Sequence, residues 1–142
     1  MKFPLIICDG KTLIVAGRDF FDKIGILDTA KGVLEINMTR DGDCSGFSWI
    51  LDANGLFYKL SPSVIIKPTL LQKIGLRLKR VRQKIEPGCR ISIENLRSLI
   101  MNLQDFYNEA PLVLELKEFL SIEESSRLFG EGDVARYLGV GS

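Results

Sequence analysis

The apolar residues of this chain change their period once, at the pair of prolines Pro62 and Pro68. Upstream they alternate. Val33, Glu35, Asn37 and Thr39 interleave with Leu34, Ile36 and Met38, the period of two that marks a half-buried strand. Leu5 to Cys8 and Thr12 to Val15 are two short β-rich runs around Asp9-Gly10-Lys11, which predicts a tight hairpin. Phe47 to Leu51 and Leu56 to Leu60 form a second pair joined by Asp52-Ala53-Asn54-Gly55, whose Asn-Gly suits the positive backbone dihedrals of a hairpin turn. One helical interruption is expected from Asp19 to Ile26, where Phe20, Phe21 and Ile24 share a face. The upstream half therefore predicts an antiparallel sheet of four or five strands within residues 5 to 66.

Downstream the spacing is helical. Leu70, Ile74, Leu78, Val81 and Ile85 follow steps of three and four, which predicts a helix from Thr69 to Ile85 with Thr69 as its cap. Pro87-Gly88 ends it, and Ser92 offers a cap for a second helix carrying Ile93, Leu96, Ile100, Leu103 and Tyr107 as far as Pro111. Residues 112 to 120 fit a helix or a short strand, and helix is the reading taken. Ser121-Ile122-Glu123-Glu124 has the form of a capping box, so a further helix is expected to run to about Gly130, with Asp133 capping a last turn to Leu138. With 142 residues and 46% hydrophobic composition, the expected architecture is one α+β domain over 1–142, a β-rich half (1–66) packed on a helical half (67–142).

The chain has no histidine, which removes the commonest general base and metal ligand and every Ser-His or Cys-His pair. An enzyme would have to rely on Asp and Lys, and the expectation is that there is no catalysis and no cofactor. Gly139-Val140-Gly141 has no helix after it to hold a phosphate. Cys8, Cys44 and Cys89 are too widely spaced for a Cys-x-x-Cys pair or a dense disulfide framework, so a reducing cytoplasm is expected. Cys8 lies in an apolar strand and reads as core, as do Phe47 and Trp49, which share a strand face with Leu51. The run from Phe3 to Cys8 is too short for a signal peptide or a membrane span. Asp41, Asp43, Ser45, Gly46 and Asp52 partly match a calcium loop, but Ser48 stands where an apolar residue is usual and strands flank the segment, so no metal is expected.

Net charge is +1, yet it is segregated: residues 67 to 90 hold eight bases and one acid, whereas residues 91 to 142 hold four bases and nine acids. On the expected helix, Lys73, Arg77, Arg80 and Lys84 line up as one cationic stripe. Such a stripe is a solvated face, a partner for the acidic helices of the same chain, or a surface for another protein. A nucleic-acid-binding or regulatory module built on helix 69–85 is the alternative function, disfavoured because no aromatic residue is interleaved to stack on bases. A basic partner would select Asp105, Glu109, Glu115 and Glu118 instead.

Residues 13–15, Ile26-Leu27-Asp28, Gly32-Val33 and Ile50-Leu51-Asp52-Ala53-Asn54-Gly55 leading to Leu60 together resemble small bacterial immunity proteins of polymorphic or contact-dependent growth inhibition systems. The resemblance spans residues 5 to 66 and leaves the helical half unmatched. It implies a cytoplasmic, non-catalytic protein that occludes a cognate toxin domain, and it carries no functional residue over, because such proteins diversify where they touch the toxin.

Overall fold

The structure, a computed structural model, describes residues 1–38, 46–66, 79–103 and 112–138. It is an α+β fold of two antiparallel sheets and a layer of helices. The first sheet holds β1 (Leu5–Cys8), β2 (Leu13–Ala16), β5 (Trp49–Leu51) and β6 (Phe57–Lys59) in the order β2-β1-β5-β6. The second holds β3 (Gly25–Asp28), β4 (Val33–Met38), β7 (Val64–Ile66) and β8 (Lys79–Lys84) in the order β3-β4-β8-β7. Helix α1 (Arg18–Ile24) links β2 to β3, and α2 (Ile93–Ile100), α3 (Leu112–Ser121) and α4 (Glu131–Leu138) follow β8.

Strand β1 is the middle layer's spine. All four of its residues are buried, because the first sheet is covered on both faces. Its period of two divides them: Ile6 and Cys8 pack with Leu96, Leu116, Phe129 and the other helical residues, while Leu5 and Ile7 pack with Phe21, Leu34, Ile36 and Val81 of the second sheet and α1. A strand buried on both faces reads as a continuous apolar run, which is how Leu5-Ile6-Ile7-Cys8 looks in the sequence. Trp49 and Leu51 likewise face the helices, but Phe47, expected beside them, lies before the strand starts and packs in the other cluster.

The expected helix 69–85 is corrected over its last third, since residues 79–84 are strand β8. Residues 67–78 lie outside the described set. The alternation in β8 is real, with Val81 and Gln83 buried and Arg82 and Lys84 exposed, but the polar Gln83 occupies an inward position and hides it. Gln83 can sit there because its amide donates to the carbonyls of Phe47 (2.7 Å) and Ser61 (2.8 Å) and accepts from the Phe47 N–H (2.8 Å). Strand β8 pairs with both β4 and β7, so the expected single sheet of residues 5–66 is two sheets, and the second draws a central strand from beyond residue 66.

Strand β3 is also new. The helix expected to reach Ile26 ends at Ile24, and Gly25 turns the chain straight into the sheet. A Cβ on Gly25 would lie 1.9 Å from the Glu35 carbonyl oxygen, so only glycine permits that approach. The turn between β5 and β6 forms, but of the expected pair only Gly55 takes a positive φ, at +80°; Asn54 does not.

Ser92 caps α2 as expected, its Oγ accepting from the Asn95 N–H at 3.1 Å. Residues 112–120 are helical, within α3. The helix expected from Ser121 to Gly130 is absent: Ser121 closes α3, donating to the Glu118 carbonyl at 2.7 Å. The chain beyond it crosses the start of α2, where the carbonyls of Arg127 and Ser125 accept from the N–H groups of Ile93 (2.8 Å) and Glu94 (3.0 Å). Those donors have no partner within their own helix, so satisfying them competes successfully with continuing a helix through 122–130. Among the described residues, no helix is long and apolar enough to cross a membrane.

Candidate partner-binding face

The second sheet turns one face to the core and the other outward. Its register places Ile26, Glu35, Arg82 and Val64 in one row across β3, β4, β8 and β7, with Asp28, Val33 and Lys84 in the next. Arg82 and Glu35 join at the centre of the first row, where Nη2 lies 2.7 Å and Nε 3.1 Å from the same carboxylate oxygen. Either side of that pair stand two exposed apolar residues, Ile26 at 54% and Val64 at 66% exposure. This face thus sets aliphatic and charged groups side by side; exposed aliphatic residues also occur in the helical layer, at Leu99, Met101, Leu114, Ile122 and Leu128.

Lys84, expected on a helical stripe, is exposed on β8 at the end of this face, and Arg80 takes the register position opposite Asn37, four pairs along the same strand. Lys73 and Arg77 lie outside the described residues, as do Asp105 and Glu109 of the acidic alternative. Glu115 and Glu118 are exposed on α3, which belongs to the helical layer on the opposite side of the first sheet. The apolar members, Ile26 and Val64, were not singled out from the sequence. Alternation in β3 is detectable only once Gly25 is seen to start a strand.

Of the calcium-loop residues, Asp41, Asp43 and Ser45 lie outside the described set. Asp52 is fully buried and committed elsewhere: it accepts from the N–H groups of Asn54 (2.9 Å), Leu56 (3.0 Å) and Lys2 (3.3 Å) and from the Tyr58 hydroxyl (3.1 Å). It pins the hairpin turn to the N-terminus. Burial, reinforced by the Asp52 charge and hydrogen bond, pushes Tyr58 up to about 12. Among the described residues no group of three or more His, Cys, Asp or Glu is placed to hold a metal.

Cys8 and Asp133 are displaced as well. The Cys8 thiol is pushed up, mainly by burial, against a lowering contact from the Gly10 N–H at 3.4 Å. Burial would raise Asp133, but its hydrogen bonds from Arg127 (2.7 Å) and the Gly130 N–H (2.6 Å), with the charges of Arg127 and Arg136, hold it below the usual carboxylate range. The Asp133 cluster ties the start of α4 to the 122–130 segment and faces away from the second sheet's outer face, in the helical layer.

No protein-family model matches the chain, and neither a curated protein nor a solved structure matches it.

Proposed function

We propose that the protein is a non-catalytic binder of the immunity type, which neutralises a cognate toxin domain by covering it in the cytoplasm. The observation that supports this reading is the outer face of the second sheet, where Ile26 and Val64 stand exposed around the Arg82–Glu35 pair with Lys84 beside them. Apolar anchors with a charged surround are what a protein interface uses: the aliphatic groups supply burial, and the cations steer the encounter. The cations of β8 take over the role expected of the helical stripe, now with strand spacing.

The test begins with the neighbouring reading frame. If a secreted protein is encoded just upstream, its C-terminal domain is expressed with and without this chain. The reading expects growth arrest by that domain alone, rescue by co-expression, and a complex that co-elutes on size-exclusion chromatography. Arrest without rescue, or rescue without complex formation, contradicts it.

A further inference from the structure

The hydrogen-bond phase of the second sheet shows which backbone groups of β3, one of its two edge strands, point away from it. Ile85 N–H donates to the Gly32 carbonyl at 2.8 Å, while Ser61 N–H donates to the Lys84 carbonyl at 2.9 Å. Odd-numbered positions along β8 therefore face β4, and even-numbered ones face β7. In an antiparallel ladder the bonded pairs alternate, so β4 turns its even positions to β8 and its odd positions, Val33 and Glu35, to β3. Their register partners are Asp28 and Ile26. The main-chain groups of Gly25 and Leu27 then point away from the sheet. Gly25 N–H is taken by the Phe21 carbonyl at the end of α1, whereas Leu27 has no backbone partner on that side among the described residues.

This free edge opens into a groove of about 390 Å³ lined by Met1, Phe3, Arg18, Phe21, Ile26 and Leu27. Its walls are mixed: Met1, Phe3, Ile26 and Leu27 bring apolar side chains, while Arg18, Thr29 and main-chain groups bring polar ones. Arg18 lies over the Phe3 ring at 5.8 Å from the centroid and brings a guanidinium to the groove. The contrast with the first sheet is direct: there the edge of β6 is closed by the chain itself, Phe57 and Cys89 exchanging both backbone hydrogen bonds at 2.8 and 3.0 Å. An edge whose N–H and C=O have no partner among the described residues is a template for another strand.

We propose that the edge of β3 takes an extended segment of the partner protein as an added strand. The segment pairs with the Leu27 main chain, sets an apolar side chain against Phe3 and Phe21, and meets Arg18 with a carboxylate. Alternate side chains of the same segment extend the row of Ile26, Glu35, Arg82 and Val64 on the outer face, so edge and face form one continuous surface. This rests on the reading of the chain as a protein binder and names the chemistry of what it binds.

The experiment uses the full chain and a phage-displayed library of short random peptides. Selection is expected to enrich peptides that alternate apolar residues and include an acid. Binding of a selected peptide should slow hydrogen exchange at the Leu27 amide, and Arg18→Glu should weaken binding by about tenfold. Leu27→Pro removes the outward N–H and should abolish binding; because it also removes packing, the exchange measurement on the unaltered chain is the deciding one. No enrichment, or bound peptides that leave Leu27 exchange unchanged, overturns the proposal. If the chain still rescues cells from the neighbouring toxin in that case, the edge assignment alone is lost. Edge binding without rescue instead removes the immunity reading and leaves the edge site.

Discussion

Gln83 and Phe47, 36 residues apart, exchange two hydrogen bonds through one side-chain amide, which donates to the Phe47 carbonyl at 2.7 Å and accepts from its N–H at 2.8 Å. The buried amide acts as a substitute strand, joining β8 of the second sheet to the chain entering β5 of the first.

Gln83→Leu fills similar space but leaves the Phe47 N–H and two carbonyls without partners. A loss of about 1 to 3 kcal/mol is expected for the orphaned donor alone, read from the denaturant midpoint. Gln83→Glu keeps the acceptor but aims a carboxylate at two carbonyls, so its stability should improve as pH falls and the group protonates. Indifference to both substitutions would mean that the two sheets are not joined through this amide.

Leu96 is fully buried against the first sheet, while Leu99 on the same helix is exposed. Leu96→Ala should cost about 2 to 5 kcal/mol. Leu99→Ala should stay within about 0.5 kcal/mol, the range of ordinary surface positions. Urea unfolding of the two variants side by side checks the orientation of α2, and equal effects would contradict it.

Stability should be level across about pH 6 to 8, because the chain has no histidine and the displaced groups titrate outside that range. At the alkaline end, Tyr58 is held near 12 against an ordinary 10.0, so the folded chain keeps its proton longer than the unfolded one. That contribution is present below pH 10 and is lost between about 10 and 12. Cys8, raised by burial above 9.0, acts in the same direction. At the acid end, Asp133 lies below its ordinary 3.8, so its contribution is present above that value and lost as pH falls through the lower, folded one. Thermal melts across pH test the plateau, and Tyr58→Phe should remove part of the alkaline slope.

Much of the fold was legible where local pattern and tertiary role agree. The hairpin of β1 and β2, the strand β4, the positive φ of Gly55 and the Ser92 cap follow from periodicity and turn chemistry. Strand β8 was not legible, because Val81 and Ile85 satisfy a helical spacing as well as a strand one, and Gln83 is inward only by virtue of Phe47 and Ser61. The capping box at Ser121 failed for a similar reason: the carbonyls it would have drawn into a helix are used by the first N–H groups of α2. Of the candidate surface, Lys84 was anticipated as a cation, but its apolar neighbours were hidden, since the face exists only once β3 and β8 are placed beside β4.

The most direct test of the binding face is charge reversal at Lys84 and at Lys31, which lies in the turn between β3 and β4 beside Asp28 and Val33, both lysines being exposed, measured as protection of cells expressing the neighbouring toxin domain. Lys31→Glu with Lys84→Glu should slow association and reduce protection while folding stability changes by no more than about 1 kcal/mol. Glu115→Lys with Glu118→Lys, on the opposite layer, should leave protection intact. Full protection by the lysine variant together with loss of protection by the glutamate variant would contradict the account and move the interface to α3.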